Sequence, residues 1–211
     1  MRIIEPSYEI LTEISKGGIK ELQHIEKIGR VCYKSEDKIT EDGESAKKFV
    51  KMIIDRGHEA MIEHSSLSVK FIVDRGVSHE LVRHRIASFA QESTRYCNYS
   101  KDKFDNGVTF IKPFFFDDTK YQRWLAAMAD AESAYLDLLK SGATPQEARS
   151  VLPNSTKTEI TITANYREWR NFFKLRTANA AHPQMTQVTI PLFKELQEKL
   201  PIIFDDILVE K

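Results

Sequence analysis

The stretch RHRIASFAQESTR, Arg83 to Arg95, decides how this chain of 211 residues is read. Three consecutive side chains that can carry positive charge open it, and Ser88, Gln91, Glu92, Ser93, Thr94 and Arg95 follow. The rest of the chain gives no electrostatic reason for such crowding, since 31 basic residues balance 31 acidic ones. A chain without net charge has no bulk attraction to nucleic acid or to an anionic membrane, so any anion must be recognised by local clustering. Arginine forks beside hydroxyls are the groups that hold phosphate, and guanidinium groups taken out of water need anionic partners.

Working outward, helical and strand periods alternate. Upstream, Met1 to Pro6 predicts a short edge strand, and Ile19, Leu22, Ile25, Ile28 and Val31 predict a helix to Tyr33. Phe49, Val50, Ile53 and Ile54 share one face of a second helix, with Ser45 or Asp42 as its cap and Gly57 at its stop. Leu67, Val69, Phe71 and Val73 alternate with polar neighbours, which predicts a strand with one buried face. The segment 77–90 then reads as a helix capped by Ser78, which carries Arg83, His84 and Arg85 about 100° apart around its circumference. Downstream, 107–113 predicts a strand and 117–142 a long helix with an acidic start and Gly142 at its end. Thr144 and Pro145 open a short helix, 156–165 is a strand, and 167–178 and 188–208 are helical, with Pro191 in the first turn of the last helix. The expectation is α+β: one domain over 1–211, a mixed sheet flanked by helices.

Cys32 and Cys97 lack metal or redox spacing, and the six histidines show no HxxxH or HExxH pattern, so no metal site is expected. No signal peptide or membrane span is apparent, which favours a cytoplasmic protein with reduced thiols. Tyr121, Trp124 and the apolar stripe of the long helix read as packing residues, and His24, His64 and His79 as structural or surface ones. Three aromatics in a row, Phe114 to Phe116, cannot all face inward, so one is expected against a partner subunit.

The spacing Arg83-His84-Arg85-x-x-Ser88-x-x-x-x-Ser93-x-Arg95 resembles the RHRxxSxxxxSxR signature of the flavin-dependent thymidylate synthases. The likeness extends to RGHEAMIEH (56–64), EARSVLP (147–153) and NYREWRNFFKLRTANAAHPQ (165–184). It implies reductive methylation of dUMP to dTMP. The carbon would come from 5,10-methylenetetrahydrofolate, which leaves as tetrahydrofolate, and the hydride from FADH2 recharged by NADPH. It also implies a homotetramer with FAD and dUMP at subunit interfaces. Carried over by position, His58, Arg83, His84, Arg85, Ile86, Gln91, Asn165, Arg167 and Asn171 would contact FAD. Glu80, Arg83, Gln91, Ser93, Thr94, Arg95, Arg149 and Arg176 would contact dUMP. Arg176 would be catalytic, favouring ionisation of the pyrimidine N3, a role suited to a side chain that stays protonated at any working pH.

The chain departs from commoner versions of the family at Glu80, where glutamine is usual, at Gln91, where an acidic residue is frequent, at Ala60, and after His182, where an arginine is missing. Ser93 has no base apparent in the sequence and reads as a binding residue. Cys97 reads as a small, partly buried residue rather than a nucleophile. Two other readings compete. Arg83, Arg85, Arg95, Tyr96 and Tyr99 could bind single-stranded nucleic acid, against which stand the zero net charge and the absence of a known motif. A family member that binds nucleotide without turnover is the other, and the intact signature argues against it.

Overall fold

A computed structural model describes residues 1–209. Its strands are β1 (Arg2–Ile4), β2 (Ser7–Ile10), β3 (Ser66–Asp74), β4 (Ala87–Gln91), β5 (Thr109–Ile111) and β6 (Lys157–Asn165). Its helices are α1 (Ile19–Tyr33), α2 (Glu44–Asp55), α3 (Arg75–Leu81), α4 (Asp118–Lys140), α5 (Pro145–Ala148), α6 (Tyr166–Arg176) and α7 (Pro183–Lys199). The class is α+β, as the alternating periods suggest. Four strands form a sheet in the order β2-β3-β6-β4, and β1 pairs in parallel with β5, Ile3 facing Phe110.

The chain packs as two compact units interleaved in sequence. The first takes Met1–Tyr8, Lys70–Arg83 and Phe89–Thr161; the second takes Glu9–Val69, His84–Ser88 and the chain from Ile162 onward. The first unit's core gathers Tyr99, Val108, Phe110, Trp124, Met128, Tyr135 and Ala148. Trp124 stacks on Tyr121 and donates its indole N–H to Ser155 Oγ at 3.0 Å, which satisfies the polar end of a mostly buried ring. The second unit buries an aromatic cluster in which Trp169 stacks on Phe173, and Phe173 meets Phe193 and Phe204 edge-on or tilted.

Most elements fall where the periodicity puts them. In β3, Leu67, Val69, Phe71 and Val73 are fully buried. In α2, the buried face is Ala46, Phe49, Val50, Ile53 and Ile54. Gly57, at φ 72°, ends the turn behind α2 in a left-handed conformation that glycine adopts without steric cost. Thr144 and Glu147 close a reciprocal capping box on α5.

Three expectations are corrected. The helix expected over 77–90 ends at Leu81, and its cap is Asp74, whose carboxylate accepts from Val77 N at 2.8 Å. Ser78 lies inside α3 and donates its hydroxyl to the Arg75 carbonyl. Residues 87–91 instead pair beside β6 as strand β4, since sheet pairing overrides a weak local helical pattern. At α2 the cap position is Gly43, while Asp42 still accepts from Glu44 N at 3.0 Å. The last helix starts at Pro183, not near Pro191, which sits in its interior. That proline removes one backbone bond, and burial of Met185, Val188, Leu192, Phe193 and Leu196 on the same helix offsets the loss.

Candidate functional site

With α3 ended at Leu81, the RHR triplet lies on an irregular turn, and its side chains divide. Arg83 and Arg85 are exposed, while His84 between them is buried. The crowding of cations is therefore two guanidinium groups in water on either side of an imidazole turned into the second unit.

That imidazole is held at both nitrogens. Nδ1 lies 2.9 Å from Glu168 Oε1, and Arg176 Nε donates to Nε2 at 3.0 Å. Phe172 packs against the ring at 4.9 Å between centroids. A guanidinium N–H can only donate, so Nε2 must be the acceptor and Nδ1 must carry the proton, donated to Glu168. Burial, and behind it the charge of Arg176, presses His84 below its ordinary pKa, although the hydrogen bond to Glu168 pulls the other way. The ring is neutral, and both its nitrogens are taken within the protein.

Helix α6 positions most of the remaining residues of this unit. The Asn165 carboxamide oxygen caps the helix by accepting from Glu168 N at 2.8 Å. Asn171 directs its NH2 to the Glu168 carboxylate at 3.3 and 3.4 Å. Helical spacing puts Arg167, Asn171 and Lys174 on one face. They line a cavity of about 480 Å³ together with Glu59, Glu63, Ile86, Asn165 and Glu168. Arg167 reaches Glu63 at 2.5 Å and Glu59 at 3.7 Å. Arg170 projects elsewhere: it is 1% exposed and bonded to Glu59, Asp206 and the Ile203 carbonyl, a structural role. His58 is exposed, with Nδ1 3.2 Å from the Tyr33 hydroxyl.

The first unit gathers the other residues. After β4 the chain turns at Ser93, whose carbonyl accepts from Tyr96 N and Cys97 N and whose hydroxyl accepts from Arg95 N at 3.3 Å. Thr94 is buried, and its hydroxyl accepts from Arg149 Nη1 at 3.4 Å across 55 positions of sequence. Arg149 stands where α5 ends. Arg83, Arg95 and Arg149 are all exposed, and Arg95 lies over the Tyr96 ring at 5.7 Å. Glu80 lies in the last turn of α3, partly buried. Gln91 turns its NH2 inward to Ser78 Oγ at 2.9 Å and Thr158 Oγ1 at 3.2 Å, so a ligand would meet its carbonyl oxygen or its backbone. Burial and the nearby Glu92 raise the Cys97 thiol, which disfavours a thiolate there.

Two acidic residues escape the reading of the sequence. Glu92 accepts from Tyr99 Oη at 2.8 Å and Lys157 Nζ at 2.9 Å, beside a cavity of about 410 Å³ that Gln91 also lines. Glu168, 9% exposed, anchors His84. The pattern Asn165-x-x-Glu168 was available as a capping signature, but it points only to a helix start. Its partner, 84 residues away in sequence, is visible only once the chain is folded.

A family model described as thymidylate synthase complementing protein matches residues 19–202. Among curated relatives, the flavin-dependent thymidylate synthase of Mycobacterium avium is 35% identical over 86% of this chain and 78% of its own. That of Corynebacterium aurimucosum is 34% identical over 92% and 83%. Among solved structures, the UMP/dUMP methylase PolB of Streptomyces cacaoi, bound with 5-Br dUMP, superposes with a TM-score of 0.78 at 23% identity. It covers 97% of this chain and 96% of its own, a likeness of fold.

Proposed function

The chain belongs to the flavin-dependent thymidylate synthases, and from that membership we propose how its residues divide the work. It methylates dUMP to dTMP with a flavin. In our reading the carbon donor is 5,10-methylenetetrahydrofolate, NADPH is the reductant, the whole chain serves as one catalytic domain in a homotetramer, and the enzyme works in the cytoplasm.

The cavity on α6 suits part of a flavin dinucleotide. It is of ligand size and offers the Arg167 and Lys174 cations for phosphate, the Asn165 and Asn171 carboxamides for polar edges, and Ile86 for an apolar ring. Glu59, Glu63 and Glu168 share the lining, so a phosphate would have to displace Glu63 and Glu59 from Arg167. Reduced FAD would supply the hydride. Asn165, Arg167, Asn171 and Ile86 would hold it, joined by Arg83, Arg85, Gln91 and His58. His84, with both ring nitrogens engaged, would serve it through its backbone at most. The dUMP phosphate would be met by Arg95 and Arg149, with Ser93 and Thr94 fixing the turn that presents them, and with Glu80, Arg83 and Gln91 nearby. Arg176 would face the pyrimidine and stabilise negative charge as N3 ionises, which raises electron density at the carbon to be alkylated.

The observation that carries this reading is the 3.0 Å bond between Arg176 and His84. It ties the signature's histidine to the arginine that the resemblance assigns to the ring, so the motif and the proposed catalytic group are one structure. The test is dTMP formation from dUMP, methylenetetrahydrofolate and NADPH, with the visible flavin spectrum as control. Arg176→Ala should abolish turnover and keep the flavin bound. Arg176→Lys should lose nearly as much, since lysine keeps the charge but cannot both bond His84 and present a planar fork. A variant with near-parental turnover would overturn the role given to Arg176. A parent that takes up no flavin would favour nucleotide or single-stranded nucleic-acid binding without turnover.

A further inference from the structure

Glu168 anchors His84 and borders the α6 cavity, but the roles above give it no part in the reaction. It is nearly buried, it stands in the first turn of α6, and its Oε1 accepts a hydrogen bond from His84 Nδ1–H at 2.9 Å. The other side of that imidazole accepts the Nε proton of Arg176 at 3.0 Å. Asn171 donates to both carboxylate oxygens and steadies the group from one turn further along α6. Phe172 closes one side of the ring.

A lone imidazole can place its proton on either nitrogen. Only the Nδ1–H form can accept from Arg176; the Nε2–H form would set one donor against another. We propose that Glu168 is a positioning residue: by accepting a hydrogen bond from Nδ1–H it fixes His84 in the one tautomer that can hold Arg176, and so aims the guanidinium. The inference rests on the role proposed for Arg176 only for its effect on turnover, because the tautomer itself can be read without turnover. Charged groups acting on His84 are Glu168 and Arg176, both on α6, so the device is local.

Three proteins test it: the parent, Glu168→Ala and Glu168→Gln. Glutamine offers a carbonyl oxygen that still accepts from Nδ1–H, whereas alanine offers nothing. The Asn165 cap uses the backbone N–H of position 168, so both variants keep the helix start. The first readout is the His84 ring by long-range proton–nitrogen correlation. The parent should show Nδ1 protonated and Nε2 bare at neutral pH, Glu168→Gln the same, and Glu168→Ala a mixture. An Nε2–H ring in the parent overturns the proposal, whatever the enzyme does.

The second readout is kcat against KM for dUMP, with flavin absorbance as the control for loading. Glu168→Ala should lose about 10²-fold in kcat, the scale of a group displaced by about an ångström. Its KM should change little, and Glu168→Gln should recover most of the loss. Parental kcat in Glu168→Ala would overturn the proposal. Equal losses in both variants with the flavin released would also overturn it, since Glu168 would then be a cofactor contact. A parent that forms no dTMP would defeat the activity reading instead, and the tautomer would still decide the role of Glu168.

Discussion

Because a guanidinium Nε–H can only donate, His84 keeps its bond to Arg176 only while Nε2 carries a lone pair. Protonation therefore costs folding stability as well as geometry. The pKa of His84 is lowered in the folded chain, by burial first, from an ordinary value of 6.5. Below 6.5 the unfolded chain takes up a proton there that the folded one refuses, so this group's stabilisation is complete above pH 6.5 and is lost as pH falls through the depressed folded value. Melting temperatures of the parent and of His84→Gln, compared across that acid window, should show the parent falling more steeply; parallel slopes would mean that the ring is not held neutral. Such a role was only half legible. The spacing of Arg83, His84 and Arg85 matches a family signature proposed to hold anions, but it reports residue types and not directions. That the middle residue turns inward depends on the chain leaving α3 at Leu81 and on a carboxylate far along the sequence.

Elements with a strong period were legible because one buried face determines them, as in α1, α2, β3 and α4. The boundary between α3 and β4 was not, since apolar residues at 81, 82, 86 and 89 suit a helix locally and only the neighbouring β6 makes 87–91 a strand. A contact between elements is equally hidden in a period. Gly29 of α1 sits so close to α2 that a Cβ added there would lie 2.5 Å from Phe49 Cε1 and 2.7 Å from Cζ. Both are ring atoms of a side chain 4% exposed, with little room to retreat. Gly29→Ala would gain helix propensity but overpack this contact, and the second effect should win by about 1–3 kcal/mol. Urea unfolding reads the difference; a variant as stable as the parent would mean that the two helices separate at no cost.

At the scale of the molecule, each unit is assembled from three separate stretches of chain, a division that no composition shift or linker announces. The division nevertheless sorts the residues that the resemblance proposes for ligands. Glu80, Arg83, Gln91, Ser93, Thr94, Arg95 and Arg149 fall in the first unit; His58, His84, Arg85, Ile86, Asn165, Arg167, Asn171 and Arg176 fall in the second. The first set is the proposed dUMP set without Arg176, and its Arg83 and Gln91 are proposed for the flavin as well; the second is the remainder of the proposed flavin set, with the arginine proposed as catalytic added. If that sorting is functional, damage should separate by unit. Arg149→Ala removes an exposed guanidinium that touches only Thr94 among its described hydrogen-bond partners, so the fold has little to lose. It should raise KM for dUMP by about 10- to 100-fold, the worth of a charge-assisted hydrogen bond, while the flavin stays bound. Arg167→Ala, in the second unit, removes a half-exposed cation from the wall of the α6 cavity. It should release flavin on gel filtration, and saturating added FAD should restore turnover with a KM for dUMP near that of the parent. Flavin absorbance after the column and dUMP titrations on the reloaded protein measure the two effects independently. Loss of flavin from Arg149→Ala, or a raised KM for dUMP in reloaded Arg167→Ala, would show that the two sets share their ligands rather than divide them.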